Sequence, residues 1–269
     1  MTISSSVWDK YIKSLRKIND TAAEKILRYL ETHALDDIDQ INAAIDYALA
    51  VTTQYGEAAA ALACQMYDAI AEASGVVLDA ALPAPTATVA DVARTINGIR
   101  KTSENTELLA NGLARLVKMA AVDTTMQNAI RDGAEWAWIP RGDTCAFCIT
   151  LASNGWQVAS RKALKNGHAE HIHANCDCTY AIRFNDATTV AGYDPDKYLR
   201  MYEEGAKQPY EDKDTAHMVG KYASNKNING MRRMFYQENK KEINAQKRDA
   251  YAKRKELESD KATETNVGV

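Results

Sequence analysis

The chain of 269 residues holds no apolar run of about eighteen residues, so no membrane span is expected. Its start, Met-Thr-Ile-Ser-Ser-Ser-Val-Trp-Asp-Lys, lacks the basic-then-apolar pattern of a secretory signal. Cysteine is scarce and odd in number, five in all, and four of the five crowd into one stretch. That clustering speaks against a disulfide framework. Together these absences point to a protein made in reducing cytoplasm, with Cys64 as a small buried apolar residue of a helix. Proline is equally scarce, and none precedes Pro83. The 46% of hydrophobic residues is enough to build a core, which excludes wholesale disorder.

The net charge of −3 conceals an asymmetry. Residues 1–135 carry 12 basic and 18 acidic side chains, whereas residues 221–255 carry 11 basic and 3 acidic ones. An acidic front and a basic rear imply different partners at the two ends, although a solvated charged helix would look the same.

The front reads as helix. Ile12, Leu15 and Ile18, then Ala22, Ile26, Tyr29 and Leu30, recur at three- and four-residue steps. A second helix carries Ile38, Ile41, Ala44, Ile45, Ala48 and Leu49. A third, rich in alanine, starts near Glu57 and ends before Pro83-Ala-Pro85. Thr88 and Asp91 form a capping box for a helix with Val89, Val92, Ile96 and Ile99. Another helix spans about Thr106 to Ala121, and Asp123 is placed to cap a last one through Met126, Ile130 and Trp136. Short connections would make neighbouring helices antiparallel in an elongated bundle.

The texture changes at Trp138-Ile-Pro-Arg-Gly-Asp143. From there to Phe184 the chain is turn-rich, and Trp156-Gln-Val158 and Cys178–Phe184 alternate as strands do. Arg141-Gly-Asp143 reads as a turn. Trp136, Trp138 and Trp156 are expected to wall a small core. Beyond Phe184 helices are expected at about Asp196–Glu204, Tyr210–Ser224 and Asn229–Glu258.

The chemistry concentrates in the turn-rich block. Cys145-Ala-Phe-Cys148 is followed by His173-Ala-Asn-Cys176-Asp-Cys178. A Cys-x-x-Cys knuckle with a His-x-x-Cys knuckle offers the four soft or borderline ligands of a closed tetrahedral zinc site. Cys145, Cys148, His173 and Cys176 are the first choice, with Cys178 competing for the fourth place. A closed, thiolate-rich set staples a fold, whereas a catalytic zinc keeps an open position. The staple would stabilise a block too small to bury much apolar surface alone. An oxidised cysteine pair, or no metal, is the alternative. His168 and His171 stand beside the cluster as spare ligands, acid/base groups or exposed loop residues.

At these residues the chain resembles a known family. Trp136-x-Trp-Ile-Pro-Arg-Gly-Asp-x-Cys-x-Phe-Cys148, Leu151-Ala-Ser-x-Gly155 and His173-x-Asn-Cys-x-Cys178 resemble the minor head proteins of tailed phages. These are the phage Mu F-like group and its relatives in phages of Gram-positive bacteria. The likeness covers about residues 123–184. The crowded His168-Ala-Glu-His171-Ile departs from the family pattern. The resemblance implies a low-copy virion protein, not an enzyme, that associates with the portal protein or the major capsid protein and capsid interior. It would assist assembly, DNA packaging or ejection. The basic rear, with Lys240, Lys241, Lys247, Arg248, Lys253, Arg254 and Lys255, would then contact the phosphates of packaged double-stranded DNA without sequence preference.

Two other readings stand beside this one. Glu170-His171-Ile172 resembles the start of a small His-metal nuclease of the HNH type, in which His171 would activate water. A zinc-knuckle DNA-binding protein is the other, although no recognition helix is identifiable beside the metal. The expected fold is mainly α: a helical region over 1–135, a Cys/His knuckle module with a small α/β fold over 136–184, a basic helical region over 185–258 and a polar tail over 259–269.

Overall fold

Each long helix of the front begins where a short polar side chain takes up an orphan backbone N–H. In the computed structural model, which describes residues 2–140, 145–160, 178–208, 225–241, 244, 245 and 248, helix α1 covers Ser5–Thr32. Ser4 Oγ there accepts from the Val7 N–H at 3.3 Å. Helix α2 covers Ile38–Ala73, with Asp37 accepting from the Gln40 N–H at 2.8 Å. Helix α3 covers Val89–Arg100 and opens on the expected capping box: Thr88 Oγ1 accepts from the Asp91 N–H, and Asp91 Oδ2 accepts from the Thr88 N–H. Asn105 caps α4, Thr106–Asp132. Each such cap stabilises its helix by about 1 kcal/mol.

Two helices are longer than their sequence signals. The apolar patterns from Ile38 and from Glu57 belong to one continuous α2. Residues 106–132 likewise form one helix, so Asp123 is an interior residue of α4 and caps nothing. Trp136, expected at the end of a helix, lies instead in strand β2, Glu135–Ile139. Cys64 sits in α2 as expected but is half-buried, not buried.

The chain divides into two units, Met1–Thr144 with Leu151–Asp196, and Cys145–Thr150 with Lys197–Val269. In the first unit α4 packs on α1, α2 and α3. As α1 is followed back from Tyr29 to Lys25, its partners on α2 advance from Tyr47 to Tyr55, so the two helices are antiparallel. Gly56 faces Ala120 and Tyr67 bonds Asp132, so α2 and α4 run parallel. Trp8, Ile26, Tyr67, Val92, Ile96 and Leu113 are all but sealed from water. Each buried aliphatic side chain of this size stabilises the fold by roughly 1.5–3 kcal/mol before entropy is counted.

Parallel neighbours need a return connection, and residues 76–88 supply part of it. This extended strap is fixed by side chains of the helices. Asp68 accepts from the Ala81 N–H, Thr124 from the Ala84 N–H, and Asn128 from the Leu82 N–H, each at 2.9 Å. Arg131 donates to the carbonyls of Asp79 and Ala80. At Gly56 a Cβ would come within 3.0 Å of Thr86 Cγ2, so the missing side chain lets the strap lie close to α2.

The same unit holds a three-stranded antiparallel sheet of order β3–β2–β4, with β3 at Gln157–Val158 and β4 at Thr179–Arg183. Strands β2 and β4 lie against α4. A parallel pair joins β1, Thr2–Ile3, to β5, Thr189–Val190. The second unit contains most of α5, Ala146–Ala152, most of α6, Pro195–Lys207, and helix α7 over 226–241. Among the described residues no helix is long and apolar enough to cross a membrane. The expected helix at Tyr210–Ser224 and the turn at Arg141-Gly-Asp143 lie outside the described residues.

Candidate metal centre

Three of the five expected metal ligands fall within the described residues. Cys145 precedes α5, and its carbonyl accepts from the Ile149 N–H at 3.1 Å. Cys148 follows within the first turn. Residues three apart on a helical turn project to one side, which is the geometry a Cys-x-x-Cys pair needs to reach a single ion. Cys148 is buried and Cys145 half-buried. Thr150 Oγ1 donates to the Ala146 carbonyl at 2.9 Å and closes the same turn.

Cys178 belongs to the other unit and is sealed from solvent at the start of β4. The register places Trp138 opposite Tyr180 and Trp136 opposite Ile182. Strand alternation therefore puts Trp136, Trp138, Tyr180 and Ile182 on one face, and Cys178 continues that row. The Tyr180 ring meets both tryptophans edge-on, with centroids 4.8 Å away in each case. Trp136 and Trp138 thus wall a core, as expected. Trp156 does different work: the Arg183 guanidinium stacks 4.8 Å from its ring while pairing with Glu135 at 2.5 Å and Asp186 at 2.8 Å.

His173 and Cys176, together with His168 and His171, lie outside the described residues. Among the described residues no group of three His, Cys, Asp or Glu side chains converges as a metal site, and no disulfide links the described cysteines to one another. Of the basic residues assigned to DNA, Lys240, Lys241 and Arg248 are exposed, the first two on α7. Lys247, Lys253, Arg254 and Lys255 lie outside the described residues.

The decisive comparison is with protein families, where VG15 protein matches residues 2–205. The chain belongs to the VG15 protein family. That makes it a phage or viral gene product. The match spans the helices of the front, the sheet, both halves of the cysteine pattern and nearly all of α6, so the VG15 likeness is not confined to the cysteines. Neither a curated protein nor a solved structure matches this VG15 chain.

One polar residue escaped the sequence signals. Asp123, read as a cap, instead faces a cleft of about 670 Å³ bounded by α3, α4 and the strap. Burial pushes its carboxyl up to about 6. Only a tertiary contact pattern distinguishes such an aspartate from a helix cap.

Proposed function

We propose that the chain is a minor structural protein of a tailed-phage head, associated with the portal protein or the capsid interior, that assists assembly, DNA packaging or ejection. The observation that carries this reading is the match to a viral family over residues 2–205, joined to the likeness of Cys145–Cys178 to phage minor head proteins. Its place is the virion, after assembly in the bacterial cytoplasm.

In this reading zinc is structural. The two thiols of the α5 turn fit one half of a tetrahedral set by chemistry and spacing, and His173 with Cys176 or Cys178 would complete it. Bound zinc would hold the thiols as thiolates and staple the turn-rich block. The exposed Lys240, Lys241 and Arg248 suit contact with phosphates of packaged DNA.

The test is a nonsense mutation in the gene, grown with and without a suppressor host. The reading expects normal lysis and a yield of infectious particles that falls sharply without suppression. Particles of unchanged yield and infectivity would overturn it.

A further inference from the structure

The cleft between α3, α4 and the strap carries a carboxylate that nothing among the described residues pairs with. Four charged residues face it: Asp91 and Arg94 from α3, and Arg115 and Asp123 from α4; the strap contributes only Pro85, Thr86 and Ala87. Arg94 donates to Asp91 at 3.1 Å, and Asp91 is further held by the capping box of Thr88. Arg115 is engaged with another group. Asp123 has neither a hydrogen-bond nor an ionic partner among the described residues. Its neighbours differ: Thr124 and Asn128 spend their polar atoms on the strap and on α4 itself.

A half-buried carboxylate without a partner raises the free energy of the folded protein, and an opposite charge within about 4–6 Å relieves that cost. The cleft has ample room for such a group, since its volume of about 670 Å³ lies in the range of small-ligand sites. The Asp91–Arg94 pair is already satisfied, so a second anion would gain little there. Of these four groups the Asp123 carboxylate is the one with no partner among the described residues, and the ligand complementary to it is cationic.

We propose that this cleft binds a primary ammonium group, with Asp123 as its counter-ion and the Gln127 side-chain amide on the same helix as a second polar contact. The ammonium can come from a free polyamine or from a lysine side chain of a partner protein. This site is independent of the cysteine pattern and of the head-protein reading. Binding strengthens as pH rises through the titration of Asp123, because only the carboxylate attracts the cation.

The experiment uses the full chain with aspartate labelled at the carboxyl carbon. The Asp123 signal is assigned as the one missing from Asp123→Asn and is titrated with pH, alone and in spermidine or a capped tripeptide with a central lysine. The proposal expects a midpoint near 6 that falls by about one pH unit with at least one probe. A response to spermidine alone identifies a free polyamine, and a response to the peptide identifies a partner's lysine. A midpoint that neither probe moves, or that sodium chloride at matched ionic strength moves equally, would overturn it. So would unaltered spermidine or peptide binding by Asp123→Asn.

Discussion

The side-chain amide of Asn128 grips Leu82 at both of its backbone groups. The Leu82 N–H donates to Oδ1 at 2.9 Å, and Nδ2 donates to the Leu82 carbonyl at 2.8 Å. This is how a strand would pair with a neighbour, but a helix side chain supplies the partner. Asn128 is buried, so losing the amide leaves an unpaired strap in poorly hydrated surroundings. Asn128→Ala should destabilise the first unit by about 2–4 kcal/mol, the cost of two hydrogen bonds with at least one partner left wanting. Denaturant melts read this, and limited proteolysis should cut within 76–88 before any other described segment.

Tyr67 and Asp132 join the far ends of α2 and α4. The Tyr67 hydroxyl donates to Asp132 Oδ2 at 2.8 Å, and Arg131 holds both oxygens of the same carboxylate at 2.7 Å. The Arg131 bonds, more than any other cause, hold the Asp132 carboxyl below the usual carboxylate range. A carboxyl depressed by folding adds stability above its unfolded value, and that stability is lost as pH falls through the folded value. Asp132→Asn should therefore lose stability near neutral pH and show a shallower acid limb. Tyr67→Phe should cost about 1–2 kcal/mol and keep the larger part of the acid limb, because the Arg131 bonds still hold the carboxyl down. Melts between pH 2 and 7 separate the two.

Asp123 acts in the opposite sense. Its folded value of about 6 lies above the ordinary 3.8, so folding favours the protonated form. The stability this gives is full below the unfolded value and is lost as pH rises through the folded one. Asp123→Asn should match the wild type near pH 3.5 and exceed it by roughly 1–3 kcal/mol at pH 7.5. Chemical denaturation at the two pH values measures this, and a neutral-pH deficit in the variant would contradict it.

In the second unit α6 and α7 touch backbone to backbone at Gly205 and Gly230. A Cβ on Gly230 would overlap the Gly205 carbonyl group, and backbone cannot yield as a flexible side chain can. Gly230→Ala should separate the helices at a cost above about 3 kcal/mol, in the range of severe overpacking. Hydrogen exchange should accelerate over 226–241, with protection in α1, α2 and α4 unchanged.

The zinc reading predicts one ion per chain in protein purified without chelator. Cys145→Ser and Cys148→Ser should each lower that stoichiometry by well over half, since each removes one of four ligands. Elemental analysis of the purified protein decides it. Full zinc content in both variants would rule out the proposed ligands.

The helices were legible because their apolar residues recur at helical steps and their caps are local. Thr88 and Asp91 show this best, since both partners of the box lie within three residues. The breaks between helices were less legible. Gly56 lies where α2 was read as two patterns, yet it serves contact with Thr86; Asp123 has the chemistry of a cap, yet it faces a cleft. The strap left no periodic trace, because its hydrogen bonds run to Asp68, Thr124 and Asn128, which are distant in sequence. In the candidate metal centre the pattern names Cys145, Cys148, His173 and Cys176 as a set, with Cys178 competing for the fourth place, but spacing carries no information on whether separated knuckles converge. Trp136 read as helix because its apolar neighbours fit either period, and pairing with Ile182 is a long-range choice.

Quantitative mass spectrometry of gradient-purified particles tests the central claim most directly. A minor head protein should be present at a few to tens of copies per particle and remain after high-salt washing. Absence from purified particles, with the chain abundant in the lysate, would contradict it.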